Sequence, residues 1–217
     1  MQLGKRRVRR GKIAKLLEQK QRVIARLLAS PPPVTKFAPR RDLAVADLLD
    51  GRARFVWTDH ASGSGALEAL STARKDPRRA IVAVDLLVHP LQLAFAAALG
   101  ADAVVLVARL VDPERFEDLV LTALRLGLEP IAEIATPEQA NHARNLGVAV
   151  GAISEIDRDH APEETETPQR FTERSEAMER ALELFEVRVA LESGREGSPW
   201  RDARFHSRFG LPAARES

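Results

Sequence analysis

Between residues 80 and 153 the apolar positions repeat one arrangement three times. The run AIVAVDLLV gives way at His89-Pro90 to a segment that closes at Leu99-Gly100. ADAVVLVARLV leads to Asp112-Pro113 and a close at Leu126-Gly127, and EPIAEIA leads to Thr136-Pro137 and Leu146-Gly147, after which a fourth apolar run, VAVGAI, begins. Proline suits the first position of a helix, where the missing N–H has no helical partner to lose and φ is already set. Glycine just past the last turn supplies the left-handed residue that ends a helix. Apolar runs alternating with such helices predict βαβ units and a parallel sheet. In these sheets reactive groups gather beyond the carboxyl ends of the strands.

The pattern extends in both directions. Residues 13–28 predict an amphipathic helix with Ile13, Leu16, Leu17, Ile24, Leu27 and Leu28 on one face, stopped by Ser30-Pro31-Pro32-Pro33. Residues 34–37 predict a short first strand before the basic turn Ala38-Pro39-Arg40-Arg41, and Asp42 is expected to cap a helix that reaches Leu49 and ends at Asp50-Gly51. Phe55-Val56-Trp57-Thr58 predicts a second strand, and the loop 60–65 leads into a helix from Ala66 to about Lys75. After Ile153, the acidic, proline-bearing stretch 157–167 reads as a loop and 171–185 as a helix. Residues 187–191 predict a seventh strand running into Glu192-Ser193-Gly194. The one candidate for an eighth strand, 209–213, contains Gly210 and Pro212. The expected architecture is α/β: a (β/α)8 TIM barrel, incomplete or degenerate at its first and eighth strands, with an extra N-terminal helix. It divides into a basic tail (1–12), the helix (13–30) and a single barrel domain (31–217). An open doubly wound sheet is the alternative, but no G-x-G-x-x-G follows any strand.

Composition narrows the function. The 217 residues include no cysteine, which excludes a disulfide scaffold or thiolate metal site and points to the cytoplasm. The five histidines are scattered without the helical spacing of a zinc site, so neither metal nor cofactor is expected. The first twelve residues have no apolar core after their basic run, hence no signal peptide is expected. The apolar stretch 80–108 is cut by His89-Pro90 and Gly100, which argues against a membrane span. Overall charge is +2, yet residues 1–30 hold ten Lys and Arg against one Glu. The run GKRRVRRGK could attract nucleic acid. It has no interleaved aromatic for base stacking, so a solvated tail is the expectation and nucleic-acid association the alternative.

Glu133 is the leading candidate for chemistry. It interrupts the otherwise apolar IAEIA, where a buried carboxylate is costly unless it is paired or faces a polar cavity. At the carboxyl end of a barrel strand it would face the mouth and could serve as a general base; the competing reading pairs it with an arginine or a backbone turn. Glu192-Ser193-Gly194 ends another strand, and its backbone could approach a phosphate closely, or form a plain turn. Asp85 reads as a structural or capping carboxylate. Lys36 reads as an anion-binding lysine or an equally ordinary solvated one. The loop Ser62-Gly63-Ser64-Gly65 lacks the lysine and spacing of a P-loop.

These segments together resemble the indole-3-glycerol-phosphate synthase family, the barrel lyases of tryptophan biosynthesis. The stretches that carry the resemblance are FVWTDHASGSGALEAL, AIVAVDLLVHPLQLAFAAALGADAVVLVARLVD, LGLEPIAEIATPEQANHARNLGVAVGA and LESG, with KIAKLLEQKQRVIARLLA similar to the family's extra N-terminal helix. The resemblance implies a ligand of sugar-phosphate type, 1-(2-carboxyphenylamino)-1-deoxyribulose 5-phosphate, which the family condenses, decarboxylates and dehydrates. A pathway enzyme is an implied protein partner. By the same resemblance Glu133 matches the fifth-strand glutamate, Glu192 and Ser193 the seventh-strand pair, Gly194 the glycine on the phosphate side, and Lys36 the first-strand lysine. The first-strand glutamate falls on Val34, and the sixth-strand asparagine on Ile153 or, with a shift, on Asp157. The third-strand lysine, the family's general acid, falls on Val84, which cannot donate a proton. Arg79 and Arg109 are the cations that could approach the mouth, and guanidinium is too weak an acid to replace lysine. The implied readings are thus a lyase of altered activity, or a non-catalytic descendant that keeps the barrel for binding or for pairing with another enzyme.

Overall fold

Six of the expected strands form, from the second to the seventh. The computed structural model describes residues 37–58, 65–154 and 180–191, together with residues 18, 21, 22, 25, 29, 176 and 177. Strands β1 (Arg54–Trp57), β2 (Ile81–Val84), β3 (Ala103–Val107), β4 (Glu129–Glu133), β5 (Val150–Ser154) and β6 (Val187–Leu191) pair in parallel, in sequence order. A doubly wound sheet reverses its strand order at a switch point. This sheet has no reversal, so it is a six-stranded portion of a (β/α) barrel.

The helical punctuation acts as the sequence predicts. After α1 (Arg41–Leu49) and α2 (Gly65–Ala73) come α3 (Pro90–Ala98), α4 (Pro113–Arg125) and α5 (Pro137–Asn145), each of the last three beginning with its proline. His89, Asp112 and Thr136 are their N-caps, accepting from the backbone N–H of Leu91, Arg115 and Gln139. The closing glycines, Gly100, Gly127 and Gly147, have φ of +106°, +79° and +83°. In the expected N-terminal helix, the described residues 18, 21, 22, 25 and 29 are helical and exposed, at the spacing of one solvated face. Among the described residues no helix is long and apolar enough to cross a membrane.

Two points of the sequence reading change. Phe37 is not in a strand; it stands beside the C-terminal end of α3, its N–H directed at Ala98 O (3.4 Å) and its ring 5.6 Å from the Arg74 guanidinium. Asp42 does not cap α1 either: Arg40 occupies the cap position without a side-chain bond, and Asp42 lies exposed in the first turn. A carboxylate there still complements the positive end of the helix.

The two faces of the sheet are buried differently. Val56, Ile81, Ala83, Val104, Leu106 and Ala132 pack with α2 to α5. The other face carries Val82, Val84, Ala103, Val105, Ile131, Val150, Ala152, Val187, Val189 and Leu191, and here the covering residues are Ala44 and Leu48 of α1. In a closed barrel this inner face is filled by layers of side chains from all eight strands. Here α1 contacts β4 and β6 across it. Burying Leu48 contributes roughly 1.5–3 kcal/mol.

Ionic bonds at the amino ends of the strands hold α1 in place. Asp102, fully buried before β3, accepts from the backbone N–H of Arg40 (2.9 Å) and Ile81 (3.0 Å) and from the guanidiniums of Arg40 (2.9 and 3.1 Å) and Arg74 (2.9 Å). Asp47 of α1 accepts from Ala80 N–H (2.6 Å) and from Arg52 (3.2 Å). Glu129, the first residue of β4, pairs with Arg41. Burial pushes the Glu129 carboxyl above its ordinary range, against the opposing pull of Arg41, and its Oε1 has no hydrogen-bond partner.

Candidate functional site at the carboxyl ends of the strands

Strand register decides which side chains share the inner face. Ala103 pairs with Glu129, Val105 with Ile131 and Val107 with Glu133, and Glu133 pairs on its other side with Ala152. Side chains alternate along a strand. Glu129, Ile131 and Glu133 therefore all point inward, the two carboxylates at opposite ends of β4. Glu129 belongs to the amino-end clamp. Glu133, 9% exposed, is the inward carboxylate at the rim.

Arg109 meets it there. The 3-10 turn Ala108–Leu110 continues directly from β3 and carries Arg109 back over β4, with Nη2 3.7 Å from Glu133 Oε1. The pair is partly open to solvent, Arg109 more than Glu133 (side-chain exposures of 33% and 11%). The arginine partner weighed for Glu133 from the sequence is thus present. It is supplied by the next strand's exit turn, so it stands at the rim and not in the core. Arg79 does not approach the mouth: it lies exposed at the amino end of β2, its carbonyl accepting from Arg40 Nη2 (2.9 Å).

The floor beside Glu133 is apolar. Val84 is 5% exposed; it pairs with Trp57 and, two residues beyond the Val82–Ala103 pair, stands at the level of Val105. Ile153, where the resemblance sets the sixth-strand asparagine, packs into the helical layer on the far face. Asp85, at the exit of β2, accepts Leu86 N–H on its Oδ1 (2.6 Å). Gln92 fixes the same loop, accepting from Val88 and His89 N–H (2.9 and 3.1 Å) and donating to Leu86 O (3.2 Å). The chain after β2 is therefore a pinned wall of the rim.

Lys36, Glu192, Ser193, Gly194, Val34, Asp157, residues 62–64 of the serine-glycine loop and the eighth-strand candidate 209–213 lie outside the described residues, and Gly65 opens α2. The strand that leads to Glu192, β6, ends at Leu191 on the same rim as β4, two places along the sheet. Among the described residues no group of three His, Asp or Glu could hold a metal ion. Sequence reasoning passed over the amino-end clamp entirely. Its signal was present: Asp102 and Glu129 interrupt apolar runs just as Glu133 does, and Arg40-Arg41 supplies the cations.

The sequence model of the indole-3-glycerol phosphate synthase family matches residues 46–159. Among curated relatives, the indole-3-glycerol phosphate synthase of Aquifex aeolicus is 31% identical over 102 residues, 47% of this chain and 40% of that protein. That of Lachnospira eligens is 34% identical over 96 residues, 44% and 35% of the two chains. The chain thus spans about two-fifths of the length of these relatives. A solved structure, KGPDC from Streptococcus mutans, aligns with a TM-score of 0.45 at 13% identity, over 75% of this chain and 76% of that one. The family match runs from α1 through the whole of β5 and takes in Val84, Arg109 and Glu133; the chain belongs to the indole-3-glycerol phosphate synthase family.

Proposed function

We propose that the carboxyl-end rim binds a ribulose 5-phosphate bearing a 2-carboxyanilino group, and that ring closure on it is slow or absent. The observation that carries this reading is the pairing of an inward-facing, nearly buried Glu133 with an apolar Val84 on the same face. A carboxylate held there can accept a proton or a ligand N–H. No side chain from β2 can return a proton, and loss of a general acid costs about 10²–10⁴ in rate. Glu192, Ser193 and Gly194, following β6, supply the ribulose and phosphate contacts in this proposal. Lys36 is given no contact in this reading, because its neighbour Phe37 stands at the amino end of the strands. A soluble partner enzyme of tryptophan synthesis in the cytoplasm fits a barrel that binds the pathway's intermediate without consuming it.

The test is to mix purified protein with 1-(2-carboxyphenylamino)-1-deoxyribulose 5-phosphate, following binding by calorimetry and ring closure by indole fluorescence. Binding is expected without efficient turnover, and Glu133→Gln should weaken it. A protein that gives no binding heat at millimolar ligand refutes the proposal. Turnover at an ordinary enzyme rate, abolished by Glu133→Gln, refutes its second half and makes the chain a working lyase.

A further inference from the structure

We propose that the surface at the amino ends of β1 and β2 binds the sugar-phosphate backbone of a nucleic-acid duplex, away from the rim and independently of what the rim holds. Backbone bonds assemble this surface. Arg54 opens β1 and directs its N–H at Ala80 O (2.8 Å), which lays the residues before β1 against those before β2. Arg52 and Ala53 N–H both bond Asp47 O (2.7 and 3.0 Å), and the Asp47 carboxylate takes Ala80 N–H (2.6 Å). Arg40 reaches the same turn and donates to Pro77 O and Arg79 O. The backbone of residues 77–80 is thus held from two sides, while the Arg78 and Arg79 side chains stay exposed.

The charge gathered there is largely unspent. Arg54, Lys75, Arg78 and Arg79 are all exposed. Neighbouring strands lie about 4.7–4.9 Å apart and rise about 3.3 Å per residue, so Arg54 and Arg79, two residues before its register partner Ile81, have Cα atoms about 8 Å apart. Arg78 pairs with Asp76 and is still 86% exposed. Among the described residues no ion pair engages Arg54, Lys75 or Arg79. The clamp does not neutralise them, because Asp47, Asp102 and Glu129 are buried and already paired with other arginines. Cations held this closely repel one another, and a bound polyanion relieves that repulsion.

The surroundings select the partner. Guanidinium presents planar donors that match phosphate oxygens. Among the described residues the exposed large apolar side chains are Leu121 on α4 and Leu184, which precedes β6 at the opposite edge of the sheet. This surface therefore lacks the apolar centre of a protein interface and an apolar group to enter a bilayer. No described aromatic side chain is exposed for base stacking, which favours backbone contacts to a duplex, without sequence preference, over an unstacked single strand. The chain also enters the fold here: the Phe37 ring lies 5.6 Å from the guanidinium of Arg74, the neighbour of Lys75. Residues 1–30 hold ten Lys and Arg against one Glu. Seven residues span at most about 25 Å, so that basic segment is tethered within this distance of Phe37.

The test follows the fluorescence anisotropy of a labelled DNA duplex of about 20 base pairs, titrated with the full chain between about 50 and 200 mM salt. Affinity should fall with salt, with a log–log slope of about −3.5 or steeper, the counterion release expected from four phosphate contacts. Arg54→Gln combined with Arg79→Gln should weaken binding about 10- to 100-fold at the lower salt and flatten the slope by about 2. Lys75→Gln, a second and independent variant, should flatten it by about 1. Arg115→Gln removes an exposed arginine at the carboxyl end of the strands and should leave affinity within about twofold. Urea unfolding of each variant should match that of the parent. Absence of duplex binding at tens of micromolar protein in the lower salt overturns the proposal. So do unchanged slopes in the folded variants, or an equal loss in Arg115→Gln, which would make bulk charge the cause. Binding to phosphatidylserine vesicles but not to the duplex would give the surface to a membrane and overturn it as well.

Discussion

Replacing Asp102 with asparagine should cost about 3–5 kcal/mol of folding stability, the usual consequence of removing one partner from a buried ion pair. The structure explains why the figure belongs at that level. Oδ2 of the fully buried Asp102 accepts from Arg40 Nη2, Arg74 Nη1 and Ile81 N–H at 2.9–3.0 Å. In asparagine, one side-chain oxygen becomes an NH2 group, which would point its hydrogens at donors. The charge that offsets Arg74, itself 8% exposed, and Arg40 would vanish as well. Asparagine nearly conserves volume, so little of the loss is cavity. The measurement is urea unfolding of Asp102→Asn against Asp112→Asn. Asp112 is an exposed helix cap, where asparagine caps about as well as aspartate, so that variant should change stability by a few tenths of a kcal/mol. A typical domain has about 5–15 kcal/mol in total, so Asp102→Asn should approach the unfolding threshold. If the two variants unfold within about 1 kcal/mol of each other, the clamp is not what anchors α1.

Two further expectations concern packing and pH. A Cβ at Gly151 in β5 would collide with the Phe185 ring, which is buried directly over it; Gly151→Ala should destabilise by about 1–3 kcal/mol in thermal unfolding, and pairing it with Phe185→Leu should recover part of the loss. The Glu129 carboxyl is raised by burial, so its folded form favours the proton more than its unfolded form does. Its contribution to stability is present below the unfolded value of about 4.5 and declines as pH rises through the higher folded value. Stability measured by urea across a pH series should therefore fall with rising pH relative to Glu129→Gln, and parallel curves would count against the buried-carboxyl account.

Local signals carried the sheet, and long-range ones decided where α1 sits. β2, β3 and β4 were legible because each is a short apolar run leading to a capping residue with proline and a helix closed by glycine, and those signals act within a few residues. The inward direction of Glu133 was legible too, since alternation along IAEIA fixes it once the strand is known. The seat of α1 was not. Its residues Leu43, Ala44, Val45, Leu48 and Leu49 predict a helix with an apolar side, but nothing within nine residues states which face of a sheet that side will cover. That is settled by Arg40 meeting Asp102 and Arg41 meeting Glu129, partners 62 and 88 residues away. The Arg109–Glu133 approach lies between these cases. Register places the two strands side by side, yet the reach of Arg109 depends on the turn Ala108–Leu110, which has no sequence signature of its own.

Polar groups at the two ends of the strands do different work, and Val84 is the place to test it. At the amino ends, Asp47, Asp102 and Glu129 are engaged by Arg52, Arg40, Arg74 and Arg41, an arrangement that fixes α1 and gives no access to a ligand. At the carboxyl ends, among the described residues, the inner face carries Glu133, reached from β3 by Arg109, with the apolar Val84 on β2 beyond it. Val84 and Glu133 stand two strands apart, a gap of about 10 Å that suits a ligand between them better than a direct contact. A lysine at Val84 can send its four-carbon stem toward the rim while its first carbons keep the valine's packing. Burial lowers a lysine's pKa, which makes it a better acid near neutral pH. Val84→Lys should therefore lose about 1–3 kcal/mol of stability through crowding and yet gain indole-forming activity, by up to about 10²–10⁴-fold over the parent. The gain should disappear in Val84→Lys combined with Glu133→Gln. Folded Val84→Lys protein that binds the carboxyanilino ligand and forms no indole would mean that Glu133 and position 84 do not face a shared ligand, and the lyase geometry inferred for this rim would be wrong.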